Sequence, residues 1–242
     1  MKNFLIPTTL KQDTLLAVKT AINQANESEC EIILMIVSEI PDAYSSPSYF
    51  LREMKTGITT QQETILDVCR QIVDKSKNCT LKIHNQYGIS SPIFKRIIDH
   101  FSLKLIIITH SYKQEQKRIN QHLVQLLDNQ RCPILHLSAT EHPNDFNKAL
   151  YIENTSSSIH MEDIQLFINE NFSFQIVTQT PNLEDKNFEE FAPYLTDIIH
   201  KNGINLLVKT RKPQKLKFRR SKKEDINDLL GLPILSLCEE MV

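Results

Sequence analysis

Three polar residues, His110, Ser111 and Tyr112, follow the apolar run 105–108 and Thr109. If that run is a strand of a parallel sheet, its carboxyl end is where ligands bind in open α/β proteins. Catalysis by these side chains would need a partner carboxylate or base, which the sequence does not specify. We therefore expect a structural or ligand-contacting role for them, and no catalytic residue.

A second group of polar residues, Thr8, Thr9 and Asp13, follows the apolar run 4–6. If the two runs are strands of one sheet, these residues flank the same cleft as His110. Aspartate is also a common residue at the N-cap of a helix. We prefer that capping role for Asp13.

The segment from Lys209 to Lys223 contains nine basic residues in fifteen and no acidic one. It follows another strand-like run, so it would also lie at the carboxyl end of a sheet. An anion site there would bind a phosphometabolite, a nucleotide or a nucleic-acid backbone. The cations that we assign to such a site are Lys209, Arg211, Lys212, Arg219 and Arg220. A solvated basic loop is the simpler interpretation, and the single aromatic residue, Phe218, argues against nucleic acid as a partner.

The composition excludes several functional classes. The four glycines lie too far apart for a dinucleotide fingerprint, a P-loop or a nucleophile elbow. The eight histidines and five cysteines have no zinc-ligand spacing, so we expect no metal and interpret the cysteines as buried thiols of a cytoplasmic protein. The longest strictly apolar run, 32–37, is too short for a membrane span, and the three apolar residues 4–6 before Pro7 are too few for a signal-peptide core, so we expect no membrane partner.

Apolar runs alternate with amphipathic stretches over the first 140 residues. The predicted strands are 4–6, 32–37, 80–84, 105–108 and 133–137. The predicted helices lie around 15–22, over 51–73, from 92 behind the cap Ser90, and over 115–127. Five strands separated by four helices predict an α/β fold with a parallel sheet and right-handed crossovers.

Residues 146–242 repeat this pattern in shorter form. Segment 103–109 aligns with 204–210 at an offset of 101, and Pro133–Leu137 aligns with Pro233–Leu237 at an offset of 100. We interpret the repeat as a duplication, with domains at 1–140 and 146–242. The second copy has no counterpart of helix 51–73 or strand 80–84, a loss that a sheet tolerates at its edge.

Four segments give the chain a resemblance to the universal stress protein family: 4–9, 32–39, 105–111 and 131–137. The resemblance covers residues 1–140 well and 146–242 weakly. It implies two Rossmann-like parallel sheets in tandem, with strand order 3-2-1-4-5 in the first and strand 3 missing in the second. Because terminal strands pair across a dimer in that family, the two copies here would pair within one chain as a pseudo-dimer. Further assembly into a homodimer stays open.

Some members of that family bind ATP through an aspartate after strand 1 and a glycine-containing loop after strand 4. By resemblance, the aspartate position falls on Thr9, the three glycine positions on Ile108, Ser111 and Asn120, and a serine or threonine position on Gln121. Of the adenine side, only Val37 remains. A backbone that wraps phosphates needs close approach and often positive φ, which isoleucine adopts only with strain. The resemblance therefore implies a degenerate nucleotide site without a cofactor, with ATP and AMP disfavoured.

These features favour a non-enzymatic cytoplasmic stress-response protein that acts through a small ligand or a protein partner. The candidate ligand contacts are Thr8, Thr9, Val37, Thr109, His110, Ser111, Asn120 and Gln121. The alternative is a nucleotide- or anion-binding regulator that uses an altered strand-4 loop and segment 209–223. An enzyme fits least, because no metal-ligand cluster or positioned nucleophile is visible in the sequence.

Overall fold

The structure, a computed structural model, describes residues 2–40, 58–140, 145–153, 159–180, 188–212 and 230–242. The strands in these ranges are β1 Lys2–Pro7, β2 Cys30–Ser38, β3 Cys79–Tyr87, β4 Leu103–Ile108, β5 Ile134–His136, β6 Lys148–Ile152, β7 Gln175–Thr180, β8 Leu206–Arg211 and β9 Ile234–Cys238. The helices are α1 Thr14–Ala25, α2 Thr60–Asp74, α3 Ser91–Phe101, α4 His110–Lys113, α5 Arg118–Leu127, α6 Met161–Asn171 and α7 Phe188–Asn202, followed by a short 3₁₀ helix, Glu239–Met241.

The described strands form a single sheet in the order β3-β2-β1-β4-β5-β9-β8-β6-β7. Neighbouring strands run parallel everywhere except between β5 and β9, which are antiparallel. The predicted α/β fold with a parallel sheet is confirmed, and the first five strands have the order that the resemblance implies. Strand β7 ends the other side of the described sheet, beside β6.

The antiparallel junction joins the two halves of the sheet. Ile134 pairs with Ser236, Leu135 with Leu235, and His136 with Ile234. The two leucines are also equivalent in the sequence alignment at an offset of 100. A strand pair centred on equivalent residues is what a twofold relation between two similar units produces.

Helices cover both faces of the sheet, and this explains the continuous apolar runs. The interior strands β2 and β4 bury residues on both sides, so they do not alternate between polar and apolar side chains. On one face, α1, α2 and α6 contribute to one core that extends through both halves. On the other face, the core of the first half and that of the second half are separate clusters.

Two helix predictions need correction. Helix α2 begins at Thr60, where the Thr59 hydroxyl and the Gln62 side chain form a reciprocal capping box; the predicted part 51–57 lies outside the described residues. The single helix predicted over 115–127 is wrong at its start, because the chain forms α4 at 110–113 and α5 only from Arg118. The cause is Thr109, whose hydroxyl accepts from the Tyr112 N–H and starts a helical turn at the end of β4.

Candidate functional site

The candidate cleft lies at the carboxyl ends of β1 and β4, which are neighbours in the sheet. The chain leaves β1 toward β2 on one side, while β4 leads to β5 on the other. This is the switch point where open α/β sheets bind ligands. The sequence-predicted residues Thr8 and Thr9 follow β1, and Thr109, His110 and Ser111 follow β4.

The Asp13 carboxylate spans this cleft and binds Ser111. The Ser111 N–H donates to Asp13 Oδ2 over 2.9 Å, and the Ser111 hydroxyl donates to Asp13 Oδ1 over 2.7 Å. The preferred capping role for Asp13 is therefore corrected: it stands at the N-cap of α1, but its side chain makes no capping bond there. Its carboxylate instead takes up donors that an anionic ligand of the strand-4 loop would need.

The loop after β1 is closed by its own hydrogen bonds. The buried Thr8 hydroxyl accepts from the Leu10 N–H at 2.8 Å and lies 2.8 Å from the Thr14 hydroxyl. Leu10 has a φ of 56°, a conformation uncommon for a residue with a side chain, and it is buried. The Thr9 carbonyl accepts from the Gln62 side chain of α2, so α2 also holds this loop in place. No backbone donor from Thr8 or Leu10 is left facing the cleft, because Thr8 N–H donates to the Met35 carbonyl.

The segment after β4 is also held by side-chain hydrogen bonds within the chain. The buried Tyr112 hydroxyl donates to Asn120 Oδ1 over 3.3 Å, and the Gln121 amide donates to the Glu115 carbonyl over 3.3 Å. Glu115 in turn forms an ion pair with Lys11 from the opposite side of the cleft. Burial, and secondly the charge of Glu115, raise the pKa of Tyr112 above its ordinary value, so this phenol stays a neutral donor.

The remaining predicted contacts occupy different surroundings. Val37 is buried in the core cluster on the α3 and α5 face of the sheet, where it packs as an apolar side chain. Asn120 is 2% exposed, so it is a core residue of α5 and no part of an open loop. His110 is half-buried at the first position of α4. The structure thus brings Thr8, Thr9, Thr109 and Ser111 to one edge of the sheet.

The basic segment is described only up to Lys212; Arg219, Arg220 and the other residues from 213 to 223 lie outside the described residues. Arg211 is directed inward. Its guanidinium donates to the carbonyls of Asp128, Gln130, Cys132 and Ser236. Burial lowers the pKa of Arg211 from its ordinary value, but these carbonyls satisfy its charged donors.

Arg211 therefore connects the two halves of the sheet. Its strand, β8, belongs to the second half, while the turn before β5 that holds Gln130 and Cys132 belongs to the first. Four of the five N–H donors of the Arg211 guanidinium bind carbonyl oxygens, so only one donor is left for the predicted anion. The neighbouring Lys212 is exposed and lies 3.7 Å from Glu239, and Lys209 is half-buried in β8.

The sequence did not reveal the residues that close the cleft. Lys11 and Glu115 belong to none of the predicted sets of site residues, and the sequence predicts only a structural or ligand-contacting role for Tyr112. The Asp13–Ser111 pair is separated by 98 residues, so no local spacing signals it. The sequence offered one clue to this closure: the loop after β4 contains no glycine, so every one of its residues carries a side chain that can fill the cleft.

Within the described ranges, no three His, Cys, Asp or Glu side chains lie together as a metal site requires. None of the helices in the described part of the chain combines the length and apolarity needed to cross a membrane.

Comparisons with known proteins identify the fold. No family model and no curated protein matches the sequence. Among solved structures, a universal stress protein from Archaeoglobus fulgidus DSM 4304 is similar over 98% of this chain and 96% of that chain, with a TM-score of 0.53 and 9% sequence identity. A functionally unknown protein from Pseudomonas aeruginosa PAO1 matches over 100% of this chain and 96% of that one, at 13% identity and a TM-score of 0.47. A protein of the universal stress protein family from Burkholderia pseudomallei covers 56% of this chain and 95% of its own, at 16% identity and a TM-score of 0.38.

The first likeness, together with the strand order, defines the class: this is an α/β chain with a Rossmann-like parallel sheet. More specifically, it has the fold of a universal stress protein along nearly its whole length. The resemblance found in the sequence is confirmed at the level of the fold.

Proposed function

We propose that this chain is a non-enzymatic cytoplasmic stress-response protein of the universal stress type, and that its cleft binds neither ATP nor AMP. The fold supports the class. The observation that carries the proposal is the Asp13–Ser111 pair, because a carboxylate of this chain occupies the donors at the point where a ligand would be held. A phosphate would have to displace that carboxylate and would meet its negative charge.

The same residues support the proposal that this cleft is not catalytic. Catalysis needs a base or nucleophile with a free functional group next to a space for substrate. Ser111 and Asp13 bind each other, and Tyr112 is 1% exposed with its phenol kept neutral. We infer that these groups hold the loops together.

We also propose that residues 1–140 and 146–242 are two universal-stress-type domains joined as an intrachain pseudo-dimer. Support comes from the order β9-β8-β6-β7, which repeats the first half without one edge strand, and from the equivalent residues at the centre of the β5–β9 pair. A chain that contains both halves of such a dimer presents two different outer edges, β3 and β7. With the cleft occupied, we assign its action to a protein partner or a small ligand bound elsewhere.

A thermal-shift titration with Mg-ATP, with AMP and with a short DNA duplex, each at low and high salt, tests the proposal. A ligand at 100 times its Kd would stabilise the fold by about 2.7 kcal/mol. At roughly 2–4 °C per kcal/mol for a chain of this size, such binding is easily detected. We expect no shift with either nucleotide and no phosphate release from ATP above background.

Other outcomes are equally informative. A saturable shift with ATP or AMP would overturn the proposal and favour the alternative, a nucleotide-binding regulator with an altered strand-4 loop. A salt-sensitive shift with the DNA duplex alone would favour the anion-binding alternative through segment 209–223. Repeating the titration with Lys212→Ala would show whether the described end of that segment takes part.

A further inference from the structure

Two cysteines lie together at the end of the sheet opposite the candidate cleft. Cys30 is the first residue of β2 and Cys79 is the first residue of β3, and the two are direct register partners. Their sulfur atoms are 2.7 Å apart. Both side chains of such a pair point to the same face of a parallel sheet.

The backbone positions suit a covalent link. Adjacent strands are about 4.8 Å apart, and disulfides join Cα atoms roughly 4.4–6.8 Å apart, so the Cα separation of directly paired residues falls within the range for a disulfide. The other cysteines, Cys69, Cys132 and Cys238, are buried free thiols. The described part of the chain gives no other sulfur–sulfur contact.

Access to this pair comes from one side. A cavity of about 530 Å³ lies at the amino ends of β2 and β3, and Cys79 forms part of its lining. Its other lining residues include Asn23, Lys77, Asn78 and Asp145, so a small polar molecule can enter. Cys79 is half-buried, whereas Cys30 is 1% exposed.

We propose that Cys30 and Cys79 form a redox-active dithiol that a hydroperoxide converts into an intrachain disulfide between β2 and the edge strand β3. The site lies away from the candidate cleft and does not rest on the function proposed above. Since β3 is the last strand on this side of the described sheet, the link joins that edge strand covalently to its neighbour β2.

The reaction divides the roles of the two sulfurs. The Cys79 thiolate attacks the terminal oxygen of the hydroperoxide; the O–O bond breaks, an alcohol or water leaves, and Cys79 becomes a sulfenic acid. The Cys30 sulfur then attacks the Cys79 sulfur. The S–O bond breaks, and the hydroxide leaves as water with the Cys30 proton. Two thiols and one hydroperoxide thus give one disulfide, one alcohol and one water, and the two electrons pass from sulfur to oxygen.

The assignment of Cys79 as the attacking group follows from access and from the state of its partner. Burial, followed by the hydrogen bond and charge of Cys79, raises the pKa of Cys30 above its ordinary value. Cys30 therefore stays protonated and enclosed until the sulfenic acid forms beside it.

The test treats the reduced full-length chain with graded hydrogen peroxide, blocks remaining thiols by alkylation under denaturing conditions, and maps the peptides without reduction. We expect the wild type to lose two of its five alkylatable thiols, with the peptides of Cys30 and Cys79 joined, and to regain both on reduction. The oxidised chain should also melt at a higher temperature than the reduced chain.

Single-residue variants distinguish a disulfide between Cys30 and Cys79 from general oxidation of the thiols. Cys79→Ser, a change at a half-buried site, should abolish peroxide-dependent thiol loss at Cys30, and Cys30→Ala should leave Cys79 as an unresolved sulfenic acid that a dimedone probe traps. The matched control Cys132→Ala should oxidise like the wild type. The proposal is overturned if both thiols remain alkylatable, if Cys79 links to Cys69 or to a second chain, or if Cys30 is oxidised equally in Cys79→Ser.

Discussion

Leu135 and Leu235 lie directly opposite each other in the antiparallel pair β5–β9, and the repeat alignment makes them equivalent residues. Both are almost completely buried and belong to the core cluster that extends through both halves of the sheet. The strand pair that joins the halves is therefore also part of the shared core. This arrangement supports treating the two halves as one cooperative unit.

The first prediction concerns the coupling of these leucines. Leu135→Ala and Leu235→Ala should each lower the free energy of unfolding by about 2–5 kcal/mol. Because the residues are cross-strand partners in one cluster, the double variant should depart from additivity by about 0.5 kcal/mol or more. Urea unfolding of the wild type, both single variants and the double variant measures this coupling.

The control is a second double variant, which combines Leu135→Ala with Leu123→Ala. Leu123 is on α5 in the core of the opposite face of the sheet, so its effect should add to that of Leu135 within about 0.5 kcal/mol. Additive behaviour of Leu135 and Leu235 themselves would contradict a packed junction.

The second prediction concerns Asp13. Asp13→Ala removes the acceptor of the Ser111 N–H and hydroxyl, so the free energy of unfolding should fall by about 1–3 kcal/mol. Asp13→Asn keeps one carbonyl acceptor, so it should lower the free energy of unfolding by less than Asp13→Ala. The neighbouring ion pair Lys11–Glu115 serves as a comparison: the Lys11 side chain is 51% exposed, and Lys11→Ala should cost less than about 1 kcal/mol. Equal effects of Asp13→Ala and Lys11→Ala would show that Asp13 does not hold the cleft together.

The sequence predicted those features that depend on local pattern. The alternation of apolar runs with amphipathic stretches was enough to predict the α/β fold. Pro133 and Pro233 indicated where β5 and β9, the two strands of the junction, begin. Asp13 was misassigned because aspartate before a helix is locally indistinguishable from a cap, while its actual partner lies 98 residues away. The start of α5 was misplaced because Thr109 begins a separate turn.

Arg211 illustrates the same limit more sharply. In the sequence it stands within a basic run and resembles a ligand for anions. In the structure its carbonyl partners Gln130 and Cys132 lie 81 and 79 residues away, on the other half of the sheet. Whether a cation faces solvent or a buried set of carbonyls is decided by tertiary packing, which charge patterning does not report.

The third prediction follows from this arrangement. Arg211→Met leaves several carbonyls without their donor and should lower the free energy of unfolding by at least about 2 kcal/mol. Arg211→Lys should also be destabilised, because a single ammonium group cannot reproduce the planar set of guanidinium donors. The measurement is the urea midpoint of each variant, with Arg131→Met as the control, since the Arg131 side chain is 74% exposed, its partner Glu240 is 46% exposed, and the loss of this pair should cost less than about 1 kcal/mol. An Arg211→Lys variant as stable as the wild type would be inconsistent with this function for Arg211.

The fourth prediction concerns alkaline pH. Burial raises the pKa of Cys132 from 9.0 to about 12, although Arg211 and Lys104 lower it in part, and burial raises that of Cys69 to about 11. The folded state keeps these thiols protonated while the unfolded chain ionises them. Their stabilisation is therefore complete below about pH 9 and is lost as the pH rises toward 11 and 12, at up to about 1.4 kcal/mol per pH unit for each thiol.

Urea midpoints of the reduced chain, measured from about pH 8 to about pH 10.5, should fall with increasing pH. Cys132→Ala removes one of the groups responsible, so its midpoint should fall less steeply over the same range even if its stability at pH 8 is lower. Cys69→Ala should flatten the profile in the same direction. The decisive quantity is the slope and not the absolute stability, because a cavity left by alanine shifts the whole profile without changing its dependence on pH. Parallel profiles for Cys132→Ala and the wild type would show that the thiol ionises equally in both states and would contradict the prediction.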